Sequence, residues 1–395
     1  MYIYADNAAT TKMSHAAINE FISKMNDDFG NPSSLHSVGQ RAAEVIYNAR
    51  QDIADILKCK IENIFFTSGG SESDNMAIMS AAEYGKKKGK KHIVTTKFEH
   101  HAVLHAVNKL EKQGFDVTYL DVYENGIINP LDVENAIRED TALVTIMFAN
   151  NEIGTIQPIK EIGKICADMK VLFHTDAVQA AGHVKLDINE LNVDYLSLSA
   201  HKFGGPKGVG VLYARKKAFV YNLIEGGAQE YGKRAGTENV AGIASMAVAL
   251  CESCKNISEN EIKVRKMRER LIEGLLEIPH TVLNGDRNSR LPGNVNVCFE
   301  GIEGESLLLM LDCMGIAASS GSACTSGSLE PSHVLLAIGR PHEIAHGSLR
   351  LSINHENTPE EIEKIINITR DVVEKLRSMS PVWDDLQKGR KIHVI

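Results

Sequence analysis

Between Asn63 and Arg215, short apolar runs alternate with longer segments of helical period. The runs "NIFFTS", "HIVTT", "DVTYLD", "LVTIMFA", "VLFHTD" and "YLSLS" are nearly continuous in apolar and β-branched residues. Strands buried on both faces read this way. Helical crossovers between most of them predict a mostly parallel sheet. A further run, "GVGVLYAR", follows "YLSLS" across a glycine-rich link too short for a parallel crossover, so it is expected to run antiparallel. Open sheets of this kind take ligands beyond the carboxyl ends of their strands. Polar residues at those ends are therefore the candidates for chemistry.

After Gly242 the pattern changes to a long charged helical stretch through about Leu275, followed by shorter elements such as "NVNVCFE", "SLLLMLDCMG", "SLRLSI" and "EEIEKIINITRDVVEKLRSM". The prediction is an α/β chain of two domains. Residues 15–256 form a large domain with the mostly parallel sheet, and residues 1–14 and 257–395 form a smaller α+β domain. A length of 395 residues suits two cores better than one.

Composition narrows the function classes. A net charge of −8 supplies no basic excess to neutralise phosphates, which argues against nucleic acid as a partner. The opening "MYIYADNAATT" has neither the basic flank nor the apolar core of a signal peptide. No apolar run approaches the ~20 residues of a membrane helix. Seven scattered cysteines suit reduced thiols rather than a disulfide framework. The expectation is a cytoplasmic protein with no membrane contact.

Several strand ends carry polar residues, each with a plain structural explanation beside the chemical one. In "IFFTSGGSESDN", Gly69, Gly70 and Ser71 would offer N–H groups and a hydroxyl at a helix N-terminus, which suits a phosphate. A capped helix after a glycine turn has the same appearance. Asp176 ends "VLFHTD", with Gln179 just beyond; it is either a helix cap or a carboxylate facing a protonated ring nitrogen. His100 follows "HIVTT", with His101 and His105 as competitors, and Asn150 closes "LVTIMFANN" where a turn asparagine is unremarkable. In "LSLSAHKFGGPKGVGVLYAR", Lys202 follows Ser199 and His201 and precedes four glycines and a proline. It is either a solvated turn residue or a nucleophilic amine able to form a Schiff base. Taken jointly, a phosphate cradle, a carboxylate, an aromatic cover and a lysine are the parts that hold pyridoxal 5′-phosphate.

The ordered motifs "YADNAATT", "FGNPSSLHSVG", "FTSGGSESDN", "EHHAV", "NNEIGTIQPI", "HTDAVQAAG", "SAHKFGGPKGVG", "RAGTENV", "SSGSACTSGSLEPSHVLLAIG" and "AHGSLRLS" cover nearly the whole chain. Together they resemble the cysteine desulfurases of the NifS/IscS group, within the fold-type I class of pyridoxal-phosphate enzymes. The resemblance implies that Lys202 binds the cofactor covalently, that Asp176 pairs with its ring nitrogen and that Gln179 bonds its ring hydroxyl. His100 would stack on the ring and assist proton transfer. Gly70, Ser71, Ser199 and His201 would hold the phosphate. Thr237 would reach the phosphate of a neighbouring subunit, which implies a homodimer. Asn150 would contact cofactor or substrate, and Arg350 would clamp the substrate carboxylate, a role that matches its two-pronged guanidinium. Gly70–Ser71 replaces the alanine–threonine pair common in relatives, keeping a small residue before a hydroxyl.

Pyridoxal phosphate alone does not select a reaction. Cys324, in "ASSGSACTSGSLEPS", sits among small residues that read as an exposed loop, whereas Cys298 and Cys313 read as buried structural thiols. Cys251 and Cys254 form a lone pair without the four ligands of structural zinc. With Cys324 as nucleophile, the resemblance implies a desulfurase. It would convert L-cysteine to L-alanine, leave a persulfide on Cys324, and pass the sulfur to an iron–sulfur scaffold of the NifU/IscU type. Cys324 would then be a transient cluster ligand. A selenocysteine lyase or related lyase, and a non-enzymatic sulfur carrier, are the alternatives.

Overall fold

The computed structural model describes residues 2–216, 218–320 and 331–387. A seven-stranded sheet dominates it, ordered Ile64–Thr67, Gly210–Ala214, Tyr195–Ser199, Leu172–Asp176, Thr141–Thr145, His92–Thr96 and Asp116–Leu120. Gly210–Ala214 is antiparallel to both neighbours and the remaining pairings are parallel, as the short glycine link requires. Neighbouring strand residues enter different cores. Phe66, Val144 and Leu196 pack beneath one face with Ile53, Ile162 and Ile243, while Phe65, Leu143 and Tyr195 pack on the other with Met76, Ala77 and Val107. Alternate side chains point to opposite faces. With both faces covered by helices, apolar residues occur on both sides of a strand, which is why these strands read as nearly unbroken runs.

A second body is built on the antiparallel sheet Ser348–Ser352, Asn294–Phe299 and Thr281–Leu283. Val295 and Val297 turn into a core with Leu271, Leu351, Ile365 and Val373, and Ile3 and Ala5 join it from the start of the chain. Ile3–Tyr4 pairs in parallel with Ile316–Ala317. Helix Pro359–Ser378 begins with proline at its first turn and a reciprocal cap between Thr358 and Glu361.

The expected long helix after Gly242 is two helices, Val240–Lys255 and Ile257–Leu276, bent by 70° at Asn256. The first is buried over most of its length in the core beneath the large sheet, packed on helices His15–Asp27 and Ser37–Leu57, and the second lays Leu271 and Leu275 on the smaller core. Each thus follows its own apolar surface. Among the described residues, no single helix is long and apolar enough to cross a membrane. The run "LVTIMFA" also stops short as a strand, at Thr145. Beyond it, Ile146 and Phe148 still donate to His174 O and Asp176 O, and this irregular pairing carries Met147 to the end of the neighbouring strand.

Candidate active site

A cavity of about 310 Å³ opens where strands Leu172–Asp176 and Tyr195–Ser199 end. Such a volume lies within the range of small-molecule sites. Asp176, Gln179, Ser199, His201 and Lys202 line one side, Gly70, Ser71 and His100 another, and Arg350 reaches in from the second body. Gly70 starts helix Gly70–Lys86, and the preceding Gly69 has φ +152°. The turn is also tight: a Cβ on Gly210 would come within 2.6 Å of the Gly69 backbone. Glycine is required on steric grounds at this crossing.

Lys202 ends a short turn, Ala200–Lys202, directly after its strand. Its Nζ donates to Ala8 O at 2.6 Å and Ala9 O at 2.8 Å. Gln179 Nε2 also donates to Ala8 O at 2.9 Å, and His201 Nδ1 lies 3.1 Å from the Thr10 hydroxyl. Residues 8–10 thus bring carbonyls and a hydroxyl to the lysine turn.

Asp176 Oδ1 accepts the Val178 N–H at 2.9 Å. Burial pushes its pKa up to about 6, with that N–H and the Lys202 charge opposing. Asp74 lies behind it on the helix, four residues after Gly70 and therefore on the same face. Burial, then the Asp176 charge, holds the Asp74 carboxyl well above the ordinary range. His174, 3.5 Å from Asp74, is driven down to about 3 by burial. With His174 uncharged at neutral pH, this contact is not an ion pair. Glu99 is also fully buried, and its pKa is raised to about 8 by burial. Its Oε1 accepts from Thr96 Oγ1 and Met147 N–H, while Oε2 has no partner among the described residues.

His100 caps helix His101–Glu111 through Nδ1, which accepts the Ala102 N–H at 3.1 Å. Burial, then Lys202, lowers its pKa to about 4. The ring is therefore neutral with its proton on Nε2, and His100 is a hydrogen-bond donor through that atom.

Arg350, on strand Ser348–Ser352, donates from Nη2 to Asp6 at 3.0 Å and from Nη1 to Asn151 O at 3.2 Å. Its buried Nε has no hydrogen-bond partner among the described residues. Asn150 is fully buried but does not line the cavity; Asn151 does. The Asn150 amide donates to Phe98 O and accepts the N–H groups of Glu152 and Ile153, so its polar atoms are spent on shaping the turn.

Thr237 lies apart, exposed beside a separate pocket with Glu230 and Arg234. Cys324 lies outside the described residues. Cys298 is buried as expected, and Asn284 donates to its sulfur. Cys313, expected to be buried, is instead exposed, because it is the last residue of helix Gly304–Cys313 on the side away from Leu307 and Leu311. Among the described residues no group of histidine, cysteine or carboxylate side chains is arranged to hold a metal.

A family profile described as aminotransferase class-V matches residues 3–365. A cysteine desulfurase IscS of Methanosarcina thermophila is 54% identical over 380 residues, spanning 96% of this chain and 94% of that protein. A cysteine desulfurase IscS of Clostridium botulinum (strain Hall) is 51% identical over 392 residues, spanning 98% of each. Among solved structures, a NifS-like protein superimposes with a TM-score of 0.90 at 37% identity, covering 95% of this chain and all of that one.

Proposed function

The chain belongs to the aminotransferase class-V family, and from that premise we propose that it is a pyridoxal-phosphate-dependent cysteine desulfurase. The observation that carries the reading is the convergence of Lys202, Asp176 and Arg350 on one cavity. The residues present fit the cofactor. The helix N-terminus at Gly70 and Ser71, with Ser199 and His201, suits a phosphate. Asp176 suits a protonated ring nitrogen, Lys202 an aldehyde, and Arg350, whose Nε has no partner among the described residues, a carboxylate.

When bound, pyridoxal 5′-phosphate supplies an electron sink for negative charge at the substrate Cα. Lys202 Nζ would anchor it and would be the group that takes up the substrate Cα proton. Arg350, oriented by Asp6 and Asn151, holds the substrate carboxylate. His100 Nε2–H donates toward the ligand, and its use of Nδ1 as a cap makes it a donor rather than the base for a thiol. The Cys324 thiolate attacks the substrate sulfur; the new S–S bond forms as the C–S bond breaks, and the bonding pair stays with the three-carbon fragment that leaves as L-alanine after protonation. The persulfide sulfur passes to an iron–sulfur scaffold protein, with Cys324 as a transient cluster ligand.

We read the enzyme as a cytoplasmic homodimer in which Thr237 serves the partner's phosphate site, since its exposed position leaves it outside the cavity of its own chain. The test of the reading is direct. Holoenzyme incubated with L-cysteine and a thiol reductant should release alanine and sulfide in equal amounts, and release of neither would overturn it.

A further inference from the structure

Glu152 is a buried carboxylate that the scheme above leaves unused. Its side chain accepts the hydroxyl of Ser332. Ser332 in turn caps helix His333–Ala337, accepting the N–H groups of Val334 and Leu335. The Glu152 backbone is fixed independently: its carbonyl accepts from Asn294 and Asn296, both at 3.1 Å, and its N–H donates to Asn150. One residue earlier, Asn151 O holds Arg350 Nη1. On the other side of Arg350, its backbone N–H and carbonyl pair with the carbonyl and N–H of Ser319. Ser319 and Ser332 flank Cys324 in the sequence. The two stems of the cysteine-bearing segment are thus tied to the substrate arginine, one through the Arg350 backbone and one through Glu152.

We propose that Glu152 is a positioning residue for sulfur transfer, its carboxylate holding Ser332, and so the C-terminal stem of the Cys324 segment, in register with Arg350. The proposal rests on the desulfurase reading. Burying a carboxylate is costly without partners, and here the Ser332 hydroxyl supplies a direct one. Burial raises the Glu152 pKa to about 7, with Ser332 and then Arg350 opposing. Because the carboxylate contacts neither the cavity nor Arg350 Nε, its loss should spare binding of cofactor and amino acid. What it should change is the approach of the thiol to sulfur, where about 1 Å of misplacement costs roughly 10²-fold in rate.

The experiment compares wild-type holoenzyme with Glu152→Ala, Ser332→Ala, their double variant and Glu152→Gln, which keeps an acceptor for Ser332. Two rates are read: persulfide formation on Cys324 in a single turnover of L-cysteine, and alkylation of Cys324 by iodoacetamide without substrate. In both alanine variants persulfide formation should slow by roughly 10–100-fold and alkylation should change, while KM and cofactor absorbance hold. The double variant should be no worse than either single one, and Glu152→Gln should restore most of the rate. Unchanged rates, additive losses, or losses that track cofactor occupancy and melting temperature would each overturn the proposal. A wild-type enzyme that forms no persulfide would refute the desulfurase reading instead, and the alkylation rates would still decide whether Glu152 positions the segment.

Discussion

Arg350 Nη2 donates to Asp6 Oδ1 across 3.0 Å, joining residues 344 positions apart in the chain. The carboxylate holds one end of the guanidinium, and Nε has no partner among the described residues. A lysine at this position would keep the charge but lose the fork. Arg350→Lys is expected to raise KM for L-cysteine by about tenfold or more, the worth of one charge-assisted hydrogen bond, with a smaller change in kcat. Steady-state kinetics on the holoenzyme checks this, and an unchanged KM would remove Arg350 from the substrate site.

Lys202 is held by two carbonyls, a geometry that places its amine at the cavity wall. Borohydride reduction of the holoenzyme followed by peptide mapping should find the pyridoxyl group on Lys202. Lys202→Ala should cost at least ~10³-fold in alanine production, since both the anchor and the proton-transfer group are gone. An adduct on Lys207 would contradict the assignment.

Cys324→Ala should bind cofactor normally and still change its visible spectrum when L-cysteine is added, because Lys202 and Arg350 are intact. Persulfide on the protein should be absent, with alanine and sulfide reduced by orders of magnitude. The exposed Cys313 provides an internal control: its alkylation alone should leave turnover unaffected. Full activity in Cys324→Ala, measured as alanine released, would refute the nucleophile assignment.

Glu99 offers a test by stability rather than rate. Its folded pKa, about 8, lies above its ordinary value of 4.5 because the carboxylate is desolvated. The folded state therefore binds more protons than the unfolded one between those values, so the Glu99 contribution is fully present below about pH 4.5 and is lost as pH rises through about 8. Glu99→Gln cannot ionise. Its melting temperature relative to wild type should climb between pH 5 and pH 9, by several degrees for a shift of a few kcal/mol. A difference that stays flat with pH would show that Glu99 is ionised in the fold.

The sequence makes Asp176, Ser199 and Lys202 legible because the first two close apolar runs and the third lies in the turn directly after one, and a strand end is where this architecture exposes polar groups. Ala8 and Ala9 leave no such trace, since they act through carbonyl oxygens that every residue possesses. Asp74 could have been found: it lies one helical turn beyond Gly70, on the face that meets the sheet. Asn150 and Asn151 are indistinguishable by type, and only the surrounding hydrogen bonds decide which faces the cavity. Cys313 reads as buried from its apolar neighbours, but at a helix end the angular position outweighs local composition.

The attachment of residues 3–7 to the second body has a consequence for the order of events during synthesis. This segment leaves the ribosome before the second body is made, yet the side chains of Asp6 and Asn7 pair there with Arg350, Ser352 and Asn354. Ile3 must wait for Ile316. A nascent chain halted before residue 348 would carry Lys202, Asp176 and the glycine turn but not the Arg350 guanidinium that completes the cavity wall. The side of the cavity formed by Gly70, Asp176 and Lys202 can thus assemble while the guanidinium is still missing. Closing so long a loop is a late event in folding, so the Arg350 guanidinium is the last part of the cavity wall to arrive.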